Sequence, residues 1–263
     1  MPCDLTPNQL LDILAHAKFE NPNNWCFVNS TVCALVWSTL SVQDFSTSFW
    51  GEHCNTLPVF ISKLKHQAGH ISHEPWFHQV MQCWGRSETV STDRLSQHDA
   101  AEFISSWLQV MQCPAFDMRW ERRLETEGSV RTVDESTCTL PLFLQFAPIH
   151  THLPRCALSD LFQVWHLADG MKAALLASTT CLCVHVDRCI QTSANARVSR
   201  CSTVIDTEVD CLVPMFLDQT LHCGLIEYTI IALQAHLGAD AHGHYRAAVR
   251  IQPTVTQGPS PST

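Results

Sequence analysis

Two residues of this chain, Cys26 and His244, stand where a thiol and an imidazole can do nucleophilic chemistry together. Cys26 follows the turn-forming stretch Glu20-Asn21-Pro22-Asn23-Asn24-Trp25, and beyond it Val28, Val32, Leu35, Val36, Thr39 and Leu40 recur at helical spacing. The spacing predicts an amphipathic helix with Cys26 at its N-terminus, where the macrodipole favours thiolate over thiol. His244 follows Gly243 at a loop-to-strand junction, a rigid edge from which an imidazole can project into a cleft. Such a pair performs acyl transfer: the thiolate attacks, and the imidazole removes and returns the proton. Each residue also has a plainer reading. Among 14 Cys and 15 His, a thiol can be a buried small hydrophobe and an imidazole a hydrogen-bonded spectator. Asn21, common in type for turns, reads on its own as a helix-breaking turn residue.

The elements that must position these residues divide the chain. Thr6-Pro7-Asn8-Gln9 offers a hydroxyl cap, a proline at the first helical position and a Gln at the third, a capping box that predicts a helix through about Lys18. Ser96-Gln97-His98-Asp99 reads as a second capping box, followed by Ala100, Phe103, Ile104, Trp107, Leu108 and Met111 on one helical face. Residues 44–95, rich in His and Ser, are expected to add helix without clear bounds. Beyond Cys113 strands take over. Leu182, Val184 and Val186 alternate with Cys181, Cys183 and His185; Tyr228 to Ala235 is β-branched and apolar; Tyr245, Ala247, Val249 and Ile251 alternate with Arg246, Ala248 and Arg250. His236 to Gly243 then reads as a hairpin loop. The expected organisation is α+β: an N-terminal helix (1–20), a helical lobe (21–112), a strand-rich lobe (113–251) and a disordered Pro/Ser/Thr-rich tail (252–263).

Composition narrows the function classes. A chain of 263 residues, 46% hydrophobic and 16% charged, can bury a sizeable core. Net charge of −9 without a Lys/Arg run argues against nucleic acid. The N-terminus lacks a basic region followed by an apolar core, so reduced thiols and a cytoplasmic or nuclear location are expected. Cys181-x-Cys183 and Cys26-x6-Cys33 lack the paired C-x2-C knuckles of structural zinc, and neither metal nor other cofactor is expected. The uncharged stretch Trp25 to Gln43 contains Asn29, three Ser and two Thr, and reads as a buried helix rather than a membrane span. A monomer is expected.

Three strings, in order, carry a family likeness. Asn21-Pro22-Asn23-Asn24-Trp25-Cys26-Phe27-Val28-Asn29-Ser30 resembles the Cys box of ubiquitin-specific proteases, with Cys26, Asn29 and Ser30 matching and Phe27 standing for Tyr. Gln97-His98-Asp99-Ala100-Ala101-Glu102-Phe103 is similar to that family's Gln-Gln-Asp-Ala-x-Glu-Phe helix. Gly243-His244-Tyr245-Arg246-Ala247-Ala248-Val249-Arg250 resembles its His box. The likeness runs from about Asn21 to Arg250. It implies a papain-like cysteine protease fold with a helical thumb lobe and a strand-rich palm/fingers lobe, whose cleft takes the ubiquitin C-terminal tail. The implied activity is a thiol-dependent deubiquitinase, hydrolysing isopeptide or peptide bonds at the C-terminus of ubiquitin. Cys26 is its nucleophile, His244 its general base and Asn21 its oxyanion donor beside the backbone amides that open the Cys26 helix. Ubiquitin or ubiquitinated proteins are the implied partners.

The chain departs from the family in four places. Asn23 stands where the family has Gly, and Asn is the non-Gly residue most tolerant of left-handed backbone. Trp25 replaces a small residue, either narrowing the cleft or packing beneath it. Zinc knuckles are absent. After His244 the chain has no Asp or Asn to orient the imidazole. Three readings follow: the chain is a fragment, which is preferred; a substitute such as Asp240 or Asp187 serves; or the protein works as a dyad or not at all. An inactive ubiquitin-binding relative and a protease for another ubiquitin-like modifier therefore stand as alternatives.

Overall fold

Thr6 opens α1 (Pro7–Ala15) with a reciprocal cap: its hydroxyl accepts from the Gln9 N–H at 3.3 Å, and Gln9 Oε1 accepts from the Thr6 N–H at 2.8 Å. The helix stops at Ala15 rather than near Lys18, because Lys18–Phe19 leaves as a short strand, β1, parallel to β2 (His70–Ile71). The computed structural model describes residues 6–21, 24–41, 70–71, 99–111, 114–138, 141–190, 199–207, 210–239 and 242–250. Apart from β2, the expected helix within 44–95 lies outside them, as does the tail.

α2 (Cys26–Leu40) begins at Cys26. The buried helix read from the uncharged stretch forms, with Phe27, Thr31, Ala34 and Trp37 buried beside Val28, Val32, Leu35 and Val36 of the periodic face. A helix covered on every side is a core helix rather than a surface one. α3 (Ala100–Met111) is capped by Asp99, whose Oδ1 accepts from the N–H groups of Ala101 at 2.6 Å and Glu102 at 3.3 Å. Asp99 thus takes the cap position expected of Ser96, which lies outside the described residues. The remaining α-helix among the described residues is α4 (Leu158–His166).

The strands that follow are β3 (Met118–Thr126), β4 (Ser129–Cys138), β5 (Leu142–Gln145), β6 (Arg155–Ala157), β7 (Lys172–Leu175), β8 (Val184–Asp187), β9 (Cys189–Ile190), β10 (Ser199–Arg200), β11 (Val204–Asp206), β12 (Cys211–Phe216), β13 (Cys223–Tyr228), β14 (Ala232–Ala239) and β15 (His242–Val249). Five of them form one sheet in the order β13-β12-β7-β3-β4, antiparallel except between β12 and β7. β14 and β15 make a separate antiparallel hairpin, paired from Ala232↔Val249 to Ala239↔His242. Its ladder therefore includes His236 and Gly243, both assigned to a loop by the sequence reading. The apolar run expected from Tyr228 to Ala235 is split, with Tyr228 closing β13 and Ala232 opening β14.

Two hydrophobic clusters result. One gathers α1, α2 and α3 with Tyr245 and Val249 of β15; the other gathers α4 with the inner face of the five-stranded sheet and β5. Residues 181–186 separate them: Cys181 and Cys183 pack into the first, Leu182, Val184 and Val186 into the second. This is the alternation read from the sequence, now serving two cores at once. The fold mixes helix and sheet in one α+β arrangement.

Candidate active site

The turn before Cys26 is built by asparagines. Asn24 holds a left-handed backbone with φ of 59°, a conformation that Asn tolerates better than other non-Gly residues. Asn23 itself lies outside the described residues. One turn into α2, Asn29 Nδ2 donates to Glu20 O at 3.0 Å and ties the entering chain to the helix. Asn21, within the bridged segment, is exposed. Trp25 packs against the first cluster, so of the two roles open to it, packing is the one seen.

Cys26 is 4% exposed at the first residue of α2, its Sγ 3.8 Å from Asn24 O. α2 lies against both strands of the β14–β15 hairpin. On β15 the odd positions Tyr245, Ala247 and Val249 are half-buried, whereas His244, Arg246 and Ala248 are exposed. Tyr245 faces the start of both helices. Burial raises its phenol above the ordinary value, the Ala100 backbone lowers it, and the charges of Asp99 and Cys26 raise it. The structure thus brings Cys26, Asp99 and Tyr245 into one neighbourhood. His244 is placed on the same strand as Tyr245, opposite Leu237, with its side chain on the solvent-facing positions. Among the described residues no hydrogen bond joins it to Cys26.

The hairpin carries a second imidazole. His236 pairs with Tyr245 across the ladder, the ring centroids 4.7 Å apart. A Cβ on Gly243 would collide with the His236 ring, so glycine before His244 is required by close approach and not only by a turn. Arg200 lies along β14 and donates to the carbonyls of Gly238 and His236, each at 3.3 Å. Of the two carboxylates considered for orienting His244, Asp187 accepts from the Cys189 N–H at 2.8 Å, and Asp240 lies outside the described residues.

The sequence reading passed over Gln234. From β14 it reaches α2, where Nε2 approaches Phe27 O at 3.2 Å and Thr31 Oγ1 at 3.0 Å and also bonds Ser30 Oγ. The readable signal was a lone amide in the apolar run Ile230 to Ala235, at even spacing from Ala232.

Burial pushes Cys33 up to about 11 and Cys183 up to about 12. Cys211 is also pushed up to about 11 by burial, and burial raises Cys156 and Cys223. Among the described residues no group of three or more His, Cys, Asp or Glu is arranged to hold a metal ion. No helix among them is long and apolar enough to cross a membrane.

No protein-family model and no curated protein matches the chain. Solved structures do. The chain is similar to one in the SAGA DUB module Ubp8/Sgf11/Sus1/Sgf73 bound to monoubiquitin, with TM-score 0.59 and 14% identity over 95% of this chain and 64% of that one. A second is the same module bound to ubiquitin aldehyde, with TM-score 0.58 and 15% identity over 89% of this chain and 62% of that one. The chain thus spans a little under two thirds of the length of these neighbours. At such identity the likeness is one of fold alone.

Proposed function

We propose that the chain is a thiol-dependent deubiquitinase of the ubiquitin-specific protease type. Residues 21–112 form its thumb-like lobe and 113–251 its palm and fingers in a papain-like arrangement. One observation carries the proposal most: Cys26 opens a buried helix that packs against the hairpin bearing His244, within a fold also found in a module bound to ubiquitin aldehyde. Cys26 attacks the carbonyl of the terminal glycine of ubiquitin. His244 takes the thiol proton and later protonates the leaving lysine amine. Asn21 donates to the oxyanion that forms between these steps.

The test is ubiquitin bearing an electrophilic C-terminus. Labelling is expected at Cys26 alone and is expected to vanish in Cys26→Ala; labelling that survives that substitution refutes the assignment. A second reading is a catalytically weak or inactive ubiquitin-binding relative, favoured by the absence of a hydrogen bond between His244 and Cys26 among the described residues. Micromolar binding of free ubiquitin by a chain whose Cys26 never reacts would decide for it. Labelling by another ubiquitin-like modifier in preference to ubiquitin would redirect the substrate class and leave the chemistry standing.

A further inference from the structure

We propose that Gln234 is a positioning residue for Cys26, fixing the first turn of its helix through a two-step hydrogen-bond relay from the hairpin. The inference rests on the deubiquitinase reading of Cys26.

The directions of the relay follow from what each group can donate. Phe27 O can only accept, so the end of the Gln234 amide facing it at 3.2 Å must be the nitrogen. The same nitrogen meets Ser30 Oγ and, at 3.0 Å, Thr31 Oγ1. Ser30 lies 2.6 Å from Cys26 O, another group that only accepts, and its single proton goes there. Ser30 therefore takes the Gln234 N–H on a lone pair, and the chain runs from Gln234 N–H to the Ser30 hydroxyl to the Cys26 carbonyl. Thr31 closes the other end of the amide, its hydroxyl 3.3 Å from Gln234 Oε1.

This relay does what apolar packing alone does not. The contacts of Val28, Val32 and Trp37 are non-directional and tolerate small slides of α2 along the hairpin. A half-buried amide whose two N–H groups are shared among Phe27 O, Ser30 Oγ and Thr31 Oγ1, all within one turn of α2, fixes one register. Gln234 pairs with Ala247, three residues past His244 on the adjoining strand. The tie thus joins the backbone of Cys26 to the hairpin that carries the proposed base. Leucine at this position would fill the space and leave the register free.

The experiment compares the parent with Gln234→Leu, Ser30→Ala and the double variant. It reads kcat and KM on ubiquitin with a fluorogenic C-terminal amide, the pH profile of Cys26 alkylation by a neutral haloacetamide, and melting temperature. Gln234→Leu is expected to lower kcat by about tenfold or more, the cost of a slightly misplaced nucleophile, with KM within about twofold. Its Cys26 alkylation profile is expected to move away from that of the parent. Ser30→Ala should shift both in the same sense, and the double variant should be no worse than Gln234→Leu, because both remove one relay. Parental kcat per folded molecule and a parental alkylation profile in both single variants overturn the proposal. Should Gln234→Leu not fold, Ser30→Ala decides alone, since alanine is the better helix former. Should the parent never react with electrophilic ubiquitin, the deubiquitinase reading falls, while an alkylation profile unchanged in both variants still overturns the relay and a shifted one still supports it.

Discussion

The two hydrophobic clusters tie down their polar groups with different chemistry, a cation in one and a neutral amide in the other. In the five-stranded sheet the buried cation Arg123 draws on its own strand and on residues 95 and 97 positions away. Its Nε donates to Glu121 at 2.8 Å, its Nη1 donates to the carbonyls of Asp218 and Thr220, and its guanidinium lies 3.9 Å from the centre of the Phe216 ring. Around α2 the long-range tie is a neutral amide, from Gln234 to Phe27, Ser30 and Thr31. Among the described residues, buried polar atoms without a partner occur on both sides: Asn29 Oδ1 and the indole nitrogens of Trp37 and Trp107 near α2, and Arg122 Nε in β3. Removing one partner of a buried cation leaves an uncompensated charge, whereas removing a neutral amide leaves only unpaired dipoles, so the Arg123 tie weighs more on stability than the Gln234 tie.

The largest effect that would sharpen this contrast is Arg123→Ala. It leaves Glu121 and two carbonyls without their cation and should cost about 3–5 kcal/mol in urea unfolding, with turnover per folded molecule unchanged. A fall in turnover without loss of stability would erase the distinction between the regions. Next, Asn21→Ala should lower kcat by about 10²–10³-fold, as loss of an oxyanion donor does, at unchanged melting temperature because the residue is exposed. A stability loss with normal turnover would make Asn21 a turn residue and nothing more.

Alkali probes the α2 side through its buried thiols. Cys33 and Cys183 hold their protons up to about 11 and about 12 in the fold, against an ordinary value of 9.0. The native state therefore binds more protons than the unfolded chain above pH 9. Their stabilising contribution is whole below that pH and declines by about 1.4 kcal/mol per thiol for each pH unit climbed towards the folded value. Urea midpoints should fall from pH 9 upwards, and Cys183→Ala should flatten the decline; a flat profile in the parent would show these thiols to be open to water. The smallest expected effect is at Asn24, whose left-handed backbone penalises a Cβ-bearing residue without a local side-chain bond. Asn24→Ala should cost about 1 kcal/mol and Asn24→Gly less than half of that, read from thermal melts.

Local chemistry alone determined a good part of this protein. The Thr6 and Gln9 cap needs only residues three apart, and the start of α2 at Cys26 needs only a turn rich in Asn followed by a helical period. The alternation of β15 likewise puts Tyr245, Ala247 and Val249 on one face and Arg246 and Ala248 on the other without any partner being known, whereas the exposure of His244, expected to project into a cleft, was not legible. Tertiary structure decided the rest. The uncharged stretch already marks α2 as buried, but that α1, α3 and the hairpin are what cover it depends on distant parts of the chain coming together. Asp99 rather than Ser96 caps α3, because either residue offers a cap oxygen and only the folded backbone selects between them. His236 lies in a ladder instead of a loop because its pairing with Tyr245 outweighs a loop-like local sequence. The Gln234 tie to Ser30 joins residues about two hundred positions apart, and no window of neighbouring residues holds both ends of such a bond.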